Sequence, residues 1–213
     1  MPGLPPPRHF PTLPQVLITE KLGPIRACLA PLTAVRRDSL DAIGGFAAVA
    51  DQSADDFKLG QLIAGRGDRV LISRTMVDVM VHEDLASLAY RELRWSRIIR
   101  ATEPKGHFWS VVTHVLALLL ICPSRAGLAL VFIAAILRIV LNRLVCARLG
   151  FAKRPPWWLV FLREPACLAI WLACYAGRRV AWRGANFIVQ PGGEMRLRVP
   201  SGAPALHPYP ASD

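Results

Sequence analysis

Residues 83 to 100 read Glu83-Asp84-Leu85-Ala86-Ser87-Leu88-Ala89-Tyr90-Arg91-Glu92-Leu93-Arg94-Trp95-Ser96-Arg97-Ile98-Ile99-Arg100. Acids at the start and arginines toward the end suit the macrodipole of a helix, so a helix is expected over this stretch. At helical spacing Arg91, Arg94 and Trp95 stand at i, i+3 and i+4 and share one face. Two guanidinium groups beside an indole can grip a phosphate and stack on a flat surface. The same pattern also reads as a basic amphipathic helix on anionic headgroups, which Arg97 and Arg100 support. His82, just before the stretch, reads as a helix-entry residue, with a second proton carrier or an acceptor contact as the alternatives.

Upstream, Leu40 and Ile43 would share the face of a short helix that Gly44-Gly45 ends, where a positive φ is needed. Asp55 and Asp56 then open a second helix, expected over Asp56 to Ala64, ahead of Gly65 and Gly67. A carboxylate at a helix N-terminus is an ordinary cap. Two in succession allow one to cap while the other faces a cleft as a general base.

Downstream the chain turns apolar. Two runs, Phe108 to Cys122 and Ala126 to Cys146, are separated by Pro123-Ser124-Arg125, the break expected of a helical hairpin. A bilayer needs about 20 apolar residues, which the second run meets and the first barely approaches. A third run, Trp157 to Ala176, has tryptophans at its start and Trp171 and Tyr175 near its end, as interfacial anchors would be. Arg163-Glu164 interrupts it, and a charged pair there needs shielding, so this run is expected at the interface or against protein.

Composition agrees with a membrane setting: 53% of the 213 residues are hydrophobic, and 26 Lys and Arg face 15 Asp and Glu for a net charge of +11. The positive charge gathers at the edges of the apolar runs, without the aromatic-basic interleaving of a nucleic-acid groove, so no nucleic-acid partner is expected. The five cysteines lie far apart with no C-x-x-C pair and read as packing residues in a reducing compartment. Four zones follow: a flexible leader over 1–14, a glycine-punctuated α/β region over 15–106, membrane-associated helices over 107–176, and a basic tail over 177–213. The tail is expected to form a short strand pair around Trp182-Arg183-Gly184 and Gly192-Gly193.

Gly-Gly-Phe at 44–46, the acidic pair leading into a helix, and Arg91-Glu92-Leu93-Arg94-Trp95 followed by apolar runs resemble the ceramide glucosyltransferase family and its bacterial relatives, the hopanoid-biosynthesis-associated glycosyltransferases. The likeness extends from about Leu22 through Gly177-Arg178-Arg179-Val180-Ala181-Trp182-Arg183-Gly184. It implies an α/β fold, the C-terminal part of a GT-A-like glycosyltransferase domain followed by α-helical membrane segments. It further implies an inverting transfer of a hexose, such as glucose, from a UDP-sugar to a lipid hydroxyl of ceramide or hopanoid type. The enzyme would be a multi-pass membrane protein with its catalytic face cytosolic, on the inner membrane if bacterial.

By the resemblance Asp56 is the base, Asp55 stands where relatives often carry Glu, and Arg91, Arg94 and Trp95 hold the diphosphate and shape the acceptor site. The family's early Asp and its Asp-x-Asp for Mg²⁺ or Mn²⁺ do not occur before Gly44, so the metal ligands of a complete enzyme are not expected in this chain. A missing N-terminal half is the expected partner. A polysaccharide synthase and a non-catalytic membrane protein that binds anionic lipid or a partner subunit are the competing readings.

Overall fold

The computed structural model describes residues 23–28, 32–73, 84–114, 124–148, 156–182 and 185–198. The leader, His82, the end of the first apolar run, Lys153-Arg154, Arg183-Gly184 and the last residues of the chain lie outside these. The helices are α1 (Arg37–Asp41), α2 (Asp55–Gly65), α3 (Leu85–Thr102), α4 (Pro104–Trp109), α5 (Arg125–Arg148) and α6 (Leu159–Ala173). Tight 3-10 turns cover Gly45–Val49, Ser110–His114 and Cys174–Ala176, and the strands are β1 (Arg179–Trp182), β2 (Ala185–Val189) and β3 (Met195–Leu197).

The first layer forms from local pattern. Gly44 and Gly45 adopt φ of 92° and 70°, ending α1 as their freedom allows. Leu59 and Ile63, one turn apart on α2, bury against Val49, with Val35, Leu40, Ile43, Leu62 and Val70 packed around them. The segment Ala27-Cys28 crosses α2 so closely that a Cβ on Gly60 would overlap the Cys28 amide and stand 2.6 Å from Ala27 Cα.

Among the described residues the sheet is small and antiparallel, in the order β1-β2-β3. The strands expected within 15–106 are absent from the described part of that region, which contributes only an isolated bridge, Gln52 to Glu194. The basic tail supplies the sheet instead, as three strands and not a pair. Its β2–β3 turn docks on the body: Gly192 N donates to Ala101 O at 2.9 Å, Met195 N to Asp51 O at 2.8 Å, and Ser53 N and Oγ to Gly193 O at 2.8 and 2.6 Å.

One described helix, Ala126–Ala147, is long and apolar enough to cross a membrane, with a mean hydropathy of 2.3 and little of its surface buried. The first apolar run starts differently from expectation, as the short α4 and a 3-10 turn. α6 holds the Arg163-Glu164 interruption, and Glu164 is buried. Its Oε1 meets Arg138 Nη2 of α5 at 2.9 Å, while the same Arg138 nitrogen donates to Thr113 O at 2.7 Å. The acid of the interruption is therefore met by a cation from the neighbouring apolar helix.

Candidate functional site

α3 starts where Asp84 caps it, accepting a hydrogen bond from Ser87 N at 2.8 Å; the Ser87 hydroxyl, and then that amide, hold the Asp84 carboxyl below its ordinary range. Ser87, Tyr90, Arg91 and Arg94 follow at i, i+3, i+4 and i+7 and form one wall of an open cleft of about 450 Å³. Ala181 and Trp182 of β1 form the other wall. Tyr90 fixes the two walls together, its hydroxyl accepting from Ala181 N at 2.6 Å. Arg94 Nε is buried with no hydrogen-bond partner among the described residues.

Arg97 and Arg100 do something else. Arg97 Nη1 donates to Arg179 O at 2.6 Å, and Arg100 Nη2 donates to Gly177 O at 2.8 Å while its guanidinium lies 5.1 Å from the centre of the Tyr175 ring. Both thus bind the backbone entering β1. Trp95 is half exposed and does not line the cleft; the indole standing beside the arginines there is Trp182.

Asp55 and Asp56 open α2, one residue earlier than the expected start. Asp55 is exposed and its Oδ1 accepts from Asp56 N at 3.0 Å; Asp56 is half-buried and its Oδ1 accepts from Phe57 N at 2.8 Å. Each acid therefore serves the helix start with one oxygen. Burial, and then the charge of Asp56, push the Cys28 thiol up.

The acids and the arginines belong to one framework but to different parts of it. Ser53 and the β2–β3 turn tie the start of α2 to Ala101 near the end of α3, and Gln61 Nε2 reaches Glu103 Oε1 at 3.4 Å. Arg94 lies eight residues before Thr102 on α3, roughly 12 Å along the axis at 1.5 Å per residue. The structure brings Arg91 and Arg94 together in the cleft; Ser53 and Gln61, on either side of Asp55 and Asp56 in the chain, make the links toward the far end of the same helix. His82 lies outside the described residues.

A buried histidine stiffens this helix. His107 Nε2 lies 3.0 Å from Ser96 Oγ and 3.7 Å from Cys174 Sγ, and Nδ1 lies 3.3 Å from Tyr175 Oη. Trp171 stacks on the imidazole and donates to His107 O at 2.9 Å. Burial, then the charges of Arg100 and His114, lower its pKa, so the neutral ring bridges α3, α4 and the end of α6.

Sequence reasoning passed over Ser87, Tyr90 and Trp182. The first two were accessible, being on the helical face of Arg91 and Arg94; Trp182 comes from a strand and only pairing in space reveals it. Among the described residues no three His, Cys, Asp or Glu side chains gather to hold a metal ion. A family model described as Glycosyl transferase family 21 matches residues 10–195. No curated protein and no solved structure matches.

Proposed function

The chain belongs to glycosyl transferase family 21, and on that premise we propose that it moves a hexose from a UDP-sugar to the hydroxyl of a membrane lipid, of ceramide or hopanoid type, with inversion. The single observation that carries this reading is the cleft between α3 and β1, where Arg91 and Arg94 share a wall with Ser87 and Tyr90 and oppose Trp182. Fixed cations along an open cleft suit the charge that grows on a departing nucleoside diphosphate. Trp182 offers a flat apolar surface to a sugar or a base.

In the proposed reaction the lipid hydroxyl oxygen attacks the anomeric carbon while the bond from that carbon to the diphosphate oxygen breaks. Asp56 takes the hydroxyl proton, and Arg91 and Arg94 hold the released diphosphate. A Mg²⁺ or Mn²⁺ ion is the family's usual companion of that diphosphate, but the described residues offer no cluster to hold one. α5 is proposed to cross the membrane and so keep the cleft close to the lipid acceptor. Against α3 as a headgroup-binding helix stands the use of Arg97 and Arg100 inside the fold.

The test is transfer of labelled hexose from a UDP-hexose to a ceramide-type acceptor, in membranes from cells producing the chain. Asp56→Asn is expected to lower the rate by about 10²–10⁴-fold, the range for a lost general base. Arg94→Ala is expected to lower it by about 10²–10³-fold, as for a lost transition-state donor. Undiminished transfer by Asp56→Asn removes Asp56 as the base. Arginine variants that alter only vesicle binding return α3 to the lipid-binding reading.

A further inference from the structure

The small sheet has two unlike faces. Arg179 pairs with Ile188 and Ile188 with Arg196, forming one row across the three strands. Arg198 N donates to Asn186 O at 2.8 Å and Ala181 pairs with Asn186, which extends the ladder by a second row of the same parity. Side chains directly opposite one another in antiparallel strands, and those two apart along a strand, emerge on one side. Arg179, Arg196 and Arg198 therefore share a face, and all three are exposed. Val180 and Val189 point to the other side and are buried.

Strand spacing sets Arg179 and Arg196 about 10 Å apart, and Arg198 about 7 Å further along β3. Arg178, also exposed, adds to the charge from just before β1. Glu194 pairs with Arg196 at 3.0 Å, but both are well exposed, and such a pair contributes little. Among the described residues Arg179 and Arg198 make no side-chain ion pair. The face thus presents a net positive charge over an area of lipid-headgroup size.

Its position says what kind of anion it meets. α6 passes through the Cys174–Ala176 turn into β1 with only Gly177 and Arg178 between, and Trp171 and Tyr175 stand at that end of the helix. α6 also contacts α5, whose apolar residues are largely exposed. Arginines at the end of an apolar, aromatic-edged helix pair are where anionic headgroups lie.

We propose that the sheet face carrying Arg179, Arg196 and Arg198 docks on the anionic phospholipid headgroups of the bilayer that α5 crosses. The surface rests on the membrane reading of α5 and is separate from the α3–β1 cleft. It holds the cleft at a set height and tilt over the lipid.

The experiment reconstitutes the full chain in detergent-free nanodiscs and compares the association of spin-labelled phosphatidylglycerol with that of spin-labelled phosphatidylcholine. The wild type is expected to favour the anionic lipid. In the triple variant Arg179→Gln, Arg196→Gln, Arg198→Gln that preference falls, by up to about fivefold per arginine removed at low salt. The matching triple lysine variant keeps the preference, which separates lost charge from a damaged sheet. Equal association of both lipids with the wild type, or a glutamine variant indistinguishable from it, overturns the proposal. Capture of a labelled oligonucleotide through the same arginines without lipid preference overturns it in favour of nucleic acid. A chain that stays in the aqueous fraction overturns the membrane reading, and the docking surface with it.

Discussion

Gly60 sits in the middle of α2, where alanine would raise helix propensity by up to about 1 kcal/mol. The crossing of Ala27-Cys28 reverses that expectation, because the added Cβ meets backbone, which cannot swing aside as a side chain can. Gly60→Ala is therefore expected to destabilise the fold by about 1–3 kcal/mol, the usual cost of overpacking. Gly65, the last residue of the same helix, has nothing within 4 Å of its would-be Cβ, and Gly65→Ala should change stability by less than about 1 kcal/mol. Denaturant unfolding of both variants in detergent checks this, and equal shifts would refute the close crossing. Gly44 and Gly45 were legible in the sequence because a helix stop is a local event. Gly60 was not, since the atoms that forbid a side chain there come from residues 27 and 28. The arginines of the cleft were legible from helical spacing, while Trp182 was not, because its neighbours are set by the docking of β1 on α3.

At the scale of elements the two apolar helices explain each other. Arg163-Glu164 showed in the sequence as a defect in an apolar run, and its remedy, Arg138, sits inside the other run, where no periodicity marks it as a partner. Removing one member of a buried pair leaves a stranded charge and costs about 3–5 kcal/mol, whereas replacing both with apolar residues is often nearly neutral. Arg138→Met alone is thus expected to destabilise strongly, and Arg138→Met with Glu164→Leu to recover most of the loss. A double-mutant cycle on thermal unfolding in detergent reads this directly. Additive losses would show that the charges do not act on each other. The helix α3 is legible in a different way: its existence and polarity follow from its own residues, with Asp84 as cap. Its role as the central strut does not, because Tyr90, Ser96, Arg97 and Arg100 reach partners in α4 and in the segment from Tyr175 through β1.

For the whole molecule the decisive contact joins chain segments that the sequence sets far apart. Composition divides the chain into a polar region, apolar helices and a basic tail, yet the tail's β2–β3 turn closes over the polar region, binding Asp51 and Ser53 before α2 and Ala101 at the end of α3. Gly193 makes this possible: its φ is 92°, and a Cβ there would lie 2.8 Å from Thr102 Oγ1. Polarity alone could not reveal such closure, because the turn docks through backbone groups that every sequence carries. If the turn is what orders the start of α2, a chain ending at Gln190 loses the partners of Ser53 and Ala101 while keeping α5 whole. Hydrogen exchange at the Ser53 amide should then rise toward the rate of an unprotected loop, with a smaller rise at residues 55 and 56 as α2 frays. Membrane insertion of α5 should stay unchanged, and sugar transfer should fall in step with the lost protection if Asp56 is the base. A Ser53 amide as protected in the shortened chain as in the full one would mean that the loop before α2 orders itself.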